Sequence, residues 1–192
     1  MTYNPDIHHR RSIRLRGHDY SIAGSYFITI CAWQRHCLFG DIVDGAMILN
    51  NYGMLVEGCW KAIPSHYEQV VPDAFIIMPN HVHGIISIAG ARFIAPMFDQ
   101  TNQGAMNQGA MNQGAMNQGA MNRAPTVGEM IRGFKARCTC LINKKRENQG
   151  CPVWQRNYYE RVIRNDNELN HAREYIINNP LKWNDDDYNP AT

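Results

Sequence analysis

The chain has 192 residues, 44% of them hydrophobic and 19% charged, with a formal net charge of +2, which suits one domain with a substantial core and is cramped for two. No apolar run approaches the ~20 residues of a membrane span, and the arginine-rich stretch 1–16 lacks the apolar segment of a secretory leader, so no membrane and a cytoplasmic setting are the expectation. The six cysteines are then expected as free thiols, and Cys138-Thr-Cys140 with Cys151 lacks the spacing of a zinc knuckle.

In chain order, His8 to Arg16 packs four arginines into a short arm. Ser25 to Trp33 is rich in β-branched and aromatic residues and predicts a first strand. Met54, Leu55, Cys59, Trp60 and Ile63 recur at helical spacing across 51–63, with Pro64 as the stop. Val70 to Met78 and His81 to Ala89 predict two strands joined by the turn-prone pair Pro79-Asn80. From Asn102 to Met121 the pentapeptide Asn-Gln-Gly-Ala-Met occurs four times in a row. Its period fits neither helix nor strand, so 91–125 is expected to be a flexible insertion in an otherwise single domain, 1–192.

Thr126-Val-Gly-Glu129 has the form of a capping box for a helix to about Asn143. Val153 to Ile163 predicts a last strand, and Asn165 or Asp166 caps a last helix through Tyr175 that ends before Pro180. The order strand, helix, strand, strand, helix, strand, helix predicts an α+β, ferredoxin-like βαββαβ antiparallel sheet with helices on one face, plus a C-terminal helix carrying a tyrosine.

Residues two apart in a strand point the same way, so His81 and His83 sit side by side on one face of the third strand. Residues four apart share a helix face, which joins Tyr175 to Asn179, with Asn178 a weaker alternative at the i+3 position. If the last helix docks beside the histidine strand, two imidazoles and an amide oxygen form a neutral ligand set. A divalent cation there keeps its full charge for an anionic substrate such as a phosphodiester, with the tyrosine as nucleophile. Clustered Lys and Arg are the footprint of phosphate binding, and here they recur in the N-terminal arm and around Arg132 and Lys135.

Met78-Pro-Asn-His-Val-His-Gly-Ile85 resembles the HUH motif of single-tyrosine, insertion-sequence-type transposases, specifically the REP-associated tyrosine transposases. Arg10 to Tyr20, Gly24 to Cys31, Gly128 to Lys135, Trp154 to Arg164 and Tyr175-Ile-Ile-Asn-Asn-Pro180 are similar to further blocks of that family; the pentapeptide insertion lies outside the pattern. The resemblance implies that His81, His83 and Asn179 bind Mg or Mn and that Tyr175 is the nucleophile, with Tyr158 and Tyr159 ranked behind it. It implies cleavage of single-stranded DNA near hairpins from repetitive extragenic palindromes, leaving a 5′-phosphotyrosine and a free 3′-hydroxyl, and rejoining without ATP. Arg10, Arg11 and Arg14, then Arg132 and Lys135, are the expected DNA contacts, and the chain is expected to act as a monomer or homodimer. The alternatives are a hairpin-binding protein of the same fold without cleavage, and a relaxase-like or replication-initiator-like nickase, which the short chain disfavours.

Overall fold

The computed structural model describes residues 23–89 and 126–190. The arginines Arg10, Arg11 and Arg14 and the pentapeptide segment lie outside the described residues.

Among the described residues six strands and four α-helices follow in the order β1 (Gly24–Cys31), β2 (Gly40–Val43), β3 (Ala46–Leu49), α1 (Asn51–Lys61), α2 (Ile63–His66), β4 (Val70–Ile77), β5 (His81–Ile88), α3 (Val127–Lys145), β6 (Tyr159–Ile163) and α4 (Asp166–Asn178). Short 3-10 turns occupy Trp33–Arg35 and Pro180–Asp185. The main sheet runs β4-β5-β1-β6 with every pair antiparallel, which is the expected ferredoxin-like order with the histidine strand inside.

Alternation assigns the two faces of this sheet. Tyr26, Ile28 and Ile30 of β1, with Val82, Ile86 and Ile88 of β5, are buried in one core with Trp60 of α1 and Met130, Ile131 and Phe134 of α3. Trp60 stacks on Phe75 and meets Phe134 edge-on, at 5.7 and 5.4 Å between ring centroids. Phe27 and Thr29 of β1, His81 and His83 of β5, and Tyr159 and Arg161 of β6 share the opposite face, over which α4 packs on β4 and β5.

Gly84 explains how the core side closes so tightly. A Cβ there would lie 2.2 Å from Cζ2 of Trp60, so the indole needs the bare backbone. Gly84→Ala is expected to destabilise the fold by about 1–3 kcal/mol through overpacking, read from urea unfolding midpoints; an unchanged midpoint would mean that the indole is free to move aside.

The helix termini follow the expected chemistry. Asn50 Oδ1 accepts from the amides of Tyr52 and Gly53 at the start of α1. The Thr126/Glu129 capping box is formed in both directions, and Asn165 Oδ1 accepts from the Glu168 amide at the start of α4.

Two expectations are corrected, and one hairpin is added. Pro64 does not simply end a helix: α1 stops at Lys61, and Pro64 lies in the first turn of the separate α2, where a missing N–H costs nothing. The strand expected from Val153 begins only at Tyr159, Trp154 making an isolated bridge to Ala32, and the carbonyls of Gln155, Arg156 and Asn157 between them accept from the Lys135 ammonium. The β2–β3 hairpin was not anticipated. Its turn residues Asp44 and Gly45 have φ of 51° and 74°, the left-handed pair that a two-residue hairpin turn requires and that Asp-Gly supplies.

Candidate active site

The two imidazoles stand on β5 with ring centroids 4.5 Å apart, as the single intervening residue dictates. Each is fixed through Nδ1. Asn80 Oδ1 lies 2.8 Å from His81 Nδ1, and because an amide oxygen only accepts, that nitrogen carries the proton and Nε2 presents its lone pair. Asn80 is held in turn by donating to the carbonyls of Arg35 and Tyr188 at 3.0 and 2.6 Å. Thr29 Oγ1 lies 2.8 Å from His83 Nδ1 and holds the second ring in place. Partners that hold the far nitrogen of a ligating histidine are the usual outer shell of a metal site.

Helix α4 brings Tyr175 to this pair. Its hydroxyl is 3.4 Å from His83 Nε2, and its ring packs edge-on against His83 and Phe27 at centroid distances of 5.1 and 5.9 Å. Asn179, one turn further on, is 3% exposed. Asn179 Oδ1 and His81 Nε2 are both buried with no hydrogen-bond partner among the described residues. A buried polar atom left unpaired costs about 1–3 kcal/mol, and a Lewis acid bound between these two lone pairs would remove that cost. His81, His83 and Asn179 therefore fit a divalent cation by donor type. Among the described residues no three of His, Cys, Asp or Glu gather into such a set; the third donor here is an amide.

The docking of α4 is fastened by Arg173, whose Nε and Nη2 donate to the two carboxylate oxygens of Asp73 at 2.9 and 2.6 Å. Asp73 sits where the β4–β5 register shifts between Pro72 and Phe75. The bound guanidinium holds the Asp73 carboxyl below its ordinary range.

Burial, with the neighbouring His83 second, depresses the His81 pKa to about 2, and burial depresses that of His83 to about 3. Both rings are neutral at physiological pH. Burial, reinforced by Asp186, raises the Tyr175 pKa against an opposing hydrogen bond from Asn179, so the phenol holds its proton more tightly than a free one. The sign for stability follows: unfolded imidazoles take up protons near pH 6.5 while the folded ones do not, so stability falls as pH drops below about 6.5. In the presence of a chelator, the melting temperature is expected to drop between pH 7.5 and 5, and the His81→Gln/His83→Gln double variant should flatten that slope; equal slopes would contradict the burial of neutral rings.

Several further residues complete this cluster without a local signal in the sequence. The C-terminal segment folds back so that Tyr188 lies 4.7 Å from the His81 ring, centroid to centroid, and Asp186 Oδ2 lies 4.0 Å from His81 Nε2. Arg35 donates to the Asp187 carbonyl and lies over the Tyr188 ring. Asn80 was legible as the neighbour of His81, but its orienting role needs the fold. Of the rival tyrosines, Tyr158 donates to Glu160 at 2.6 Å and is tied to the other face, whereas Tyr159 lines the cleft beside Tyr175.

Over 187 residues the chain is 42% identical to an uncharacterized protein of Haemophilus influenzae, covering 96% of this chain and 95% of that one. The chain belongs to one family with that protein. Among solved structures it is similar to the REP-associated tyrosine transposase bound to a REP hairpin, with a TM-score of 0.54 and 17% identity, covering 88% of this chain and 73% of that one. Its fold is the fold of that transposase. No family model matches the chain, and among the described residues no helix is long and apolar enough to cross a membrane.

Within this fold the expected basic residues part ways. Arg132 is exposed on α3, on the side of the sheet away from Tyr175. Lys135 is withdrawn from the set of DNA contacts: its ammonium donates to the carbonyls of Gln155, Arg156 and Asn157 at 2.6, 3.1 and 3.3 Å, and an ammonium has three donors. Burial lowers its pKa accordingly. A helix lysine at that spacing reads as a surface charge until the 155–157 segment is seen to fold onto it.

Proposed function

We propose that the protein is a metal-dependent single-stranded DNA endonuclease and strand transferase that cuts at or near hairpin-forming repeats. The observation that carries this reading is the convergence of the Tyr175 hydroxyl, His83 Nε2 and the two unpartnered donors His81 Nε2 and Asn179 Oδ1. Tyr175 Oη attacks the phosphorus of a phosphodiester; a bond forms between that oxygen and phosphorus, and the bond to the 3′ oxygen breaks. The phenol gives up its proton, the departing 3′ oxygen takes one up, and the strand is left with a 5′-phosphotyrosine. Because the phosphodiester energy is kept in the covalent link, attack by a 3′-hydroxyl reverses the step and joins strands. Mg or Mn held by His81, His83 and Asn179 supplies neutralisation of the phosphoryl oxygens when bound. The hairpin substrate is supported by the fold shared with a transposase described as bound to a REP hairpin.

The test is incubation with labelled single-stranded hairpin DNA carrying unpaired flanks, with Mg or Mn and with EDTA. A metal-dependent protein–DNA adduct is the expected result. Tight hairpin binding with no adduct in either metal would favour a binding protein of the same fold.

The ion pair that docks α4 makes a second expectation. Asp73→Asn is expected to slow adduct formation by about 10–100-fold, the cost of misplacing a reacting group by ~1 Å, while hairpin affinity stays level. The exchanged pair Asp73→Arg/Arg173→Asp should restore part of the rate; a loss of affinity with an unchanged rate would place the pair at a DNA contact instead.

A further inference from the structure

Beside Tyr175 lies a cleft of about 420 Å³ between β6 and α4, of which the attack on phosphorus uses only one wall. Its lining follows from spacing. Tyr159 and Arg161 alternate onto one face of β6, and Glu168, His171 and Tyr175 recur along one face of α4; Phe27 forms the floor between them. Tyr159 and Tyr175 are 44% and 43% exposed, so aromatic surface lines the cleft without being covered.

We propose that this cleft is a base-selecting subsite, holding one nucleobase of the DNA strand next to the phosphate that Tyr175 attacks. The proposal rests on the reading of Tyr175 as nucleophile. Three observations favour a base over a second phosphate. First, the aromatic lining offers stacking, which is how unpaired bases are held. Second, the Arg161 charge is already matched by the Glu168 carboxylate, at 3.6 Å from Nη2 to Oε2, and a carboxylate in the wall repels phosphate. Third, Arg161 and His171 supply donors while Glu168 supplies an acceptor, the mixed set that reads the edge of a base. The volume lies at the small end of the range for ligand pockets, about 300–1,000 Å³, which suits a single nucleotide and not a duplex. Tyr159, placed behind Tyr175 as a nucleophile, thereby gains a role as a stacking platform.

The experiment uses the full chain and hairpin DNA with a randomised single-stranded flank, followed by sequencing of the strands captured as covalent adducts. One position adjoining the cut is expected to be enriched for a particular base. An abasic residue at that position should slow adduct formation by roughly 5- to 150-fold, the worth of one stacked base. Tyr159→Ala and Glu168→Gln should erase the preference at that position and leave those at other positions intact, whereas Tyr159→Phe, which keeps the stacking face, should retain it. Adducts whose base preferences are the same in Tyr159→Ala and wild type would overturn the subsite while leaving the reading of Tyr175 in place. If no adduct forms at all, that reading fails, and the subsite is judged by the fluorescence of 2-aminopurine placed along the flank: quenching on binding that Tyr159→Ala abolishes upholds a base-binding cleft, and no quenching at any position overturns it.

Discussion

Tyr175→Phe is expected to lower the yield of the covalent DNA adduct on the order of 10³-fold or more, the usual scale for removing a nucleophile, with hairpin affinity and thermal stability nearly unchanged. The fold tolerates the change because the ring is what packs: Phe in that place keeps the edge-on contacts with Phe27 and His83, and the residue that loses its hydroxyl is 43% exposed. The measurement is denaturing gel electrophoresis of radiolabelled strand after incubation with Mn. An adduct that persists in Tyr175→Phe would remove the nucleophile from α4, and Tyr159, lining the same cleft, would be examined next; Tyr158, bonded to Glu160, would need its side chain turned through the sheet.

His81→Ala is expected to weaken Mn binding by more than the ~10–100-fold that losing an outer-shell partner costs, and to remove metal-dependent adduct formation with it. The ring is buried and fixed by Asn80, so truncation also loosens packing. Thr29→Val serves as the gentler companion: it keeps both imidazoles and removes the hydroxyl beside His83 Nδ1, and should cost about 10–100-fold in Mn affinity. Titration calorimetry reads both. Because both imidazoles are neutral already near pH 6, metal binding displaces no proton from them, and Mn affinity should stay level between pH 8 and 6. A steep fall over that interval, or wild-type Mn affinity in His81→Ala, would contradict the assigned ligands.

The local codes were read correctly where chemistry and period agree. The alternation around His81 and His83, the capping box at Thr126 and the four-residue step from Tyr175 to Asn179 each follow from the geometry of one element. What single elements do not encode is who meets whom. The docking of α4 over the histidine face depends on Arg173 reaching Asp73 across 100 positions of sequence, and nothing local marks either residue. Lys135 looked like a phosphate contact because a helix lysine is normally solvated; three carbonyls presented by an irregular segment outcompeted water. The strand is shorter than expected, Tyr159–Ile163, and the segment before it carries those three carbonyls. The β2–β3 hairpin carried a legible Asp-Gly turn but strands of four residues each, too short for alternation to register. The return of Asp186 and Tyr188 onto His81 left no trace in periodicity, since it is made by a 3-10 turn and backbone carbonyls.

If Tyr175 attacks DNA, the nucleotide ends up on its phenol oxygen, and the attachment site can be read from the adduct. Nuclease and trypsin digestion of the purified adduct separates the candidates, because Tyr175 falls in the peptide from Glu174 to Lys182 and the Tyr158-Tyr159 pair in that from Asn157 to Arg161. Mass spectrometry should find a 5′-phosphodeoxynucleotide on the Glu174–Lys182 peptide, at its single tyrosine. The modification on the Asn157–Arg161 peptide, or an adduct linked through any other residue, would rule out Tyr175 as the nucleophile.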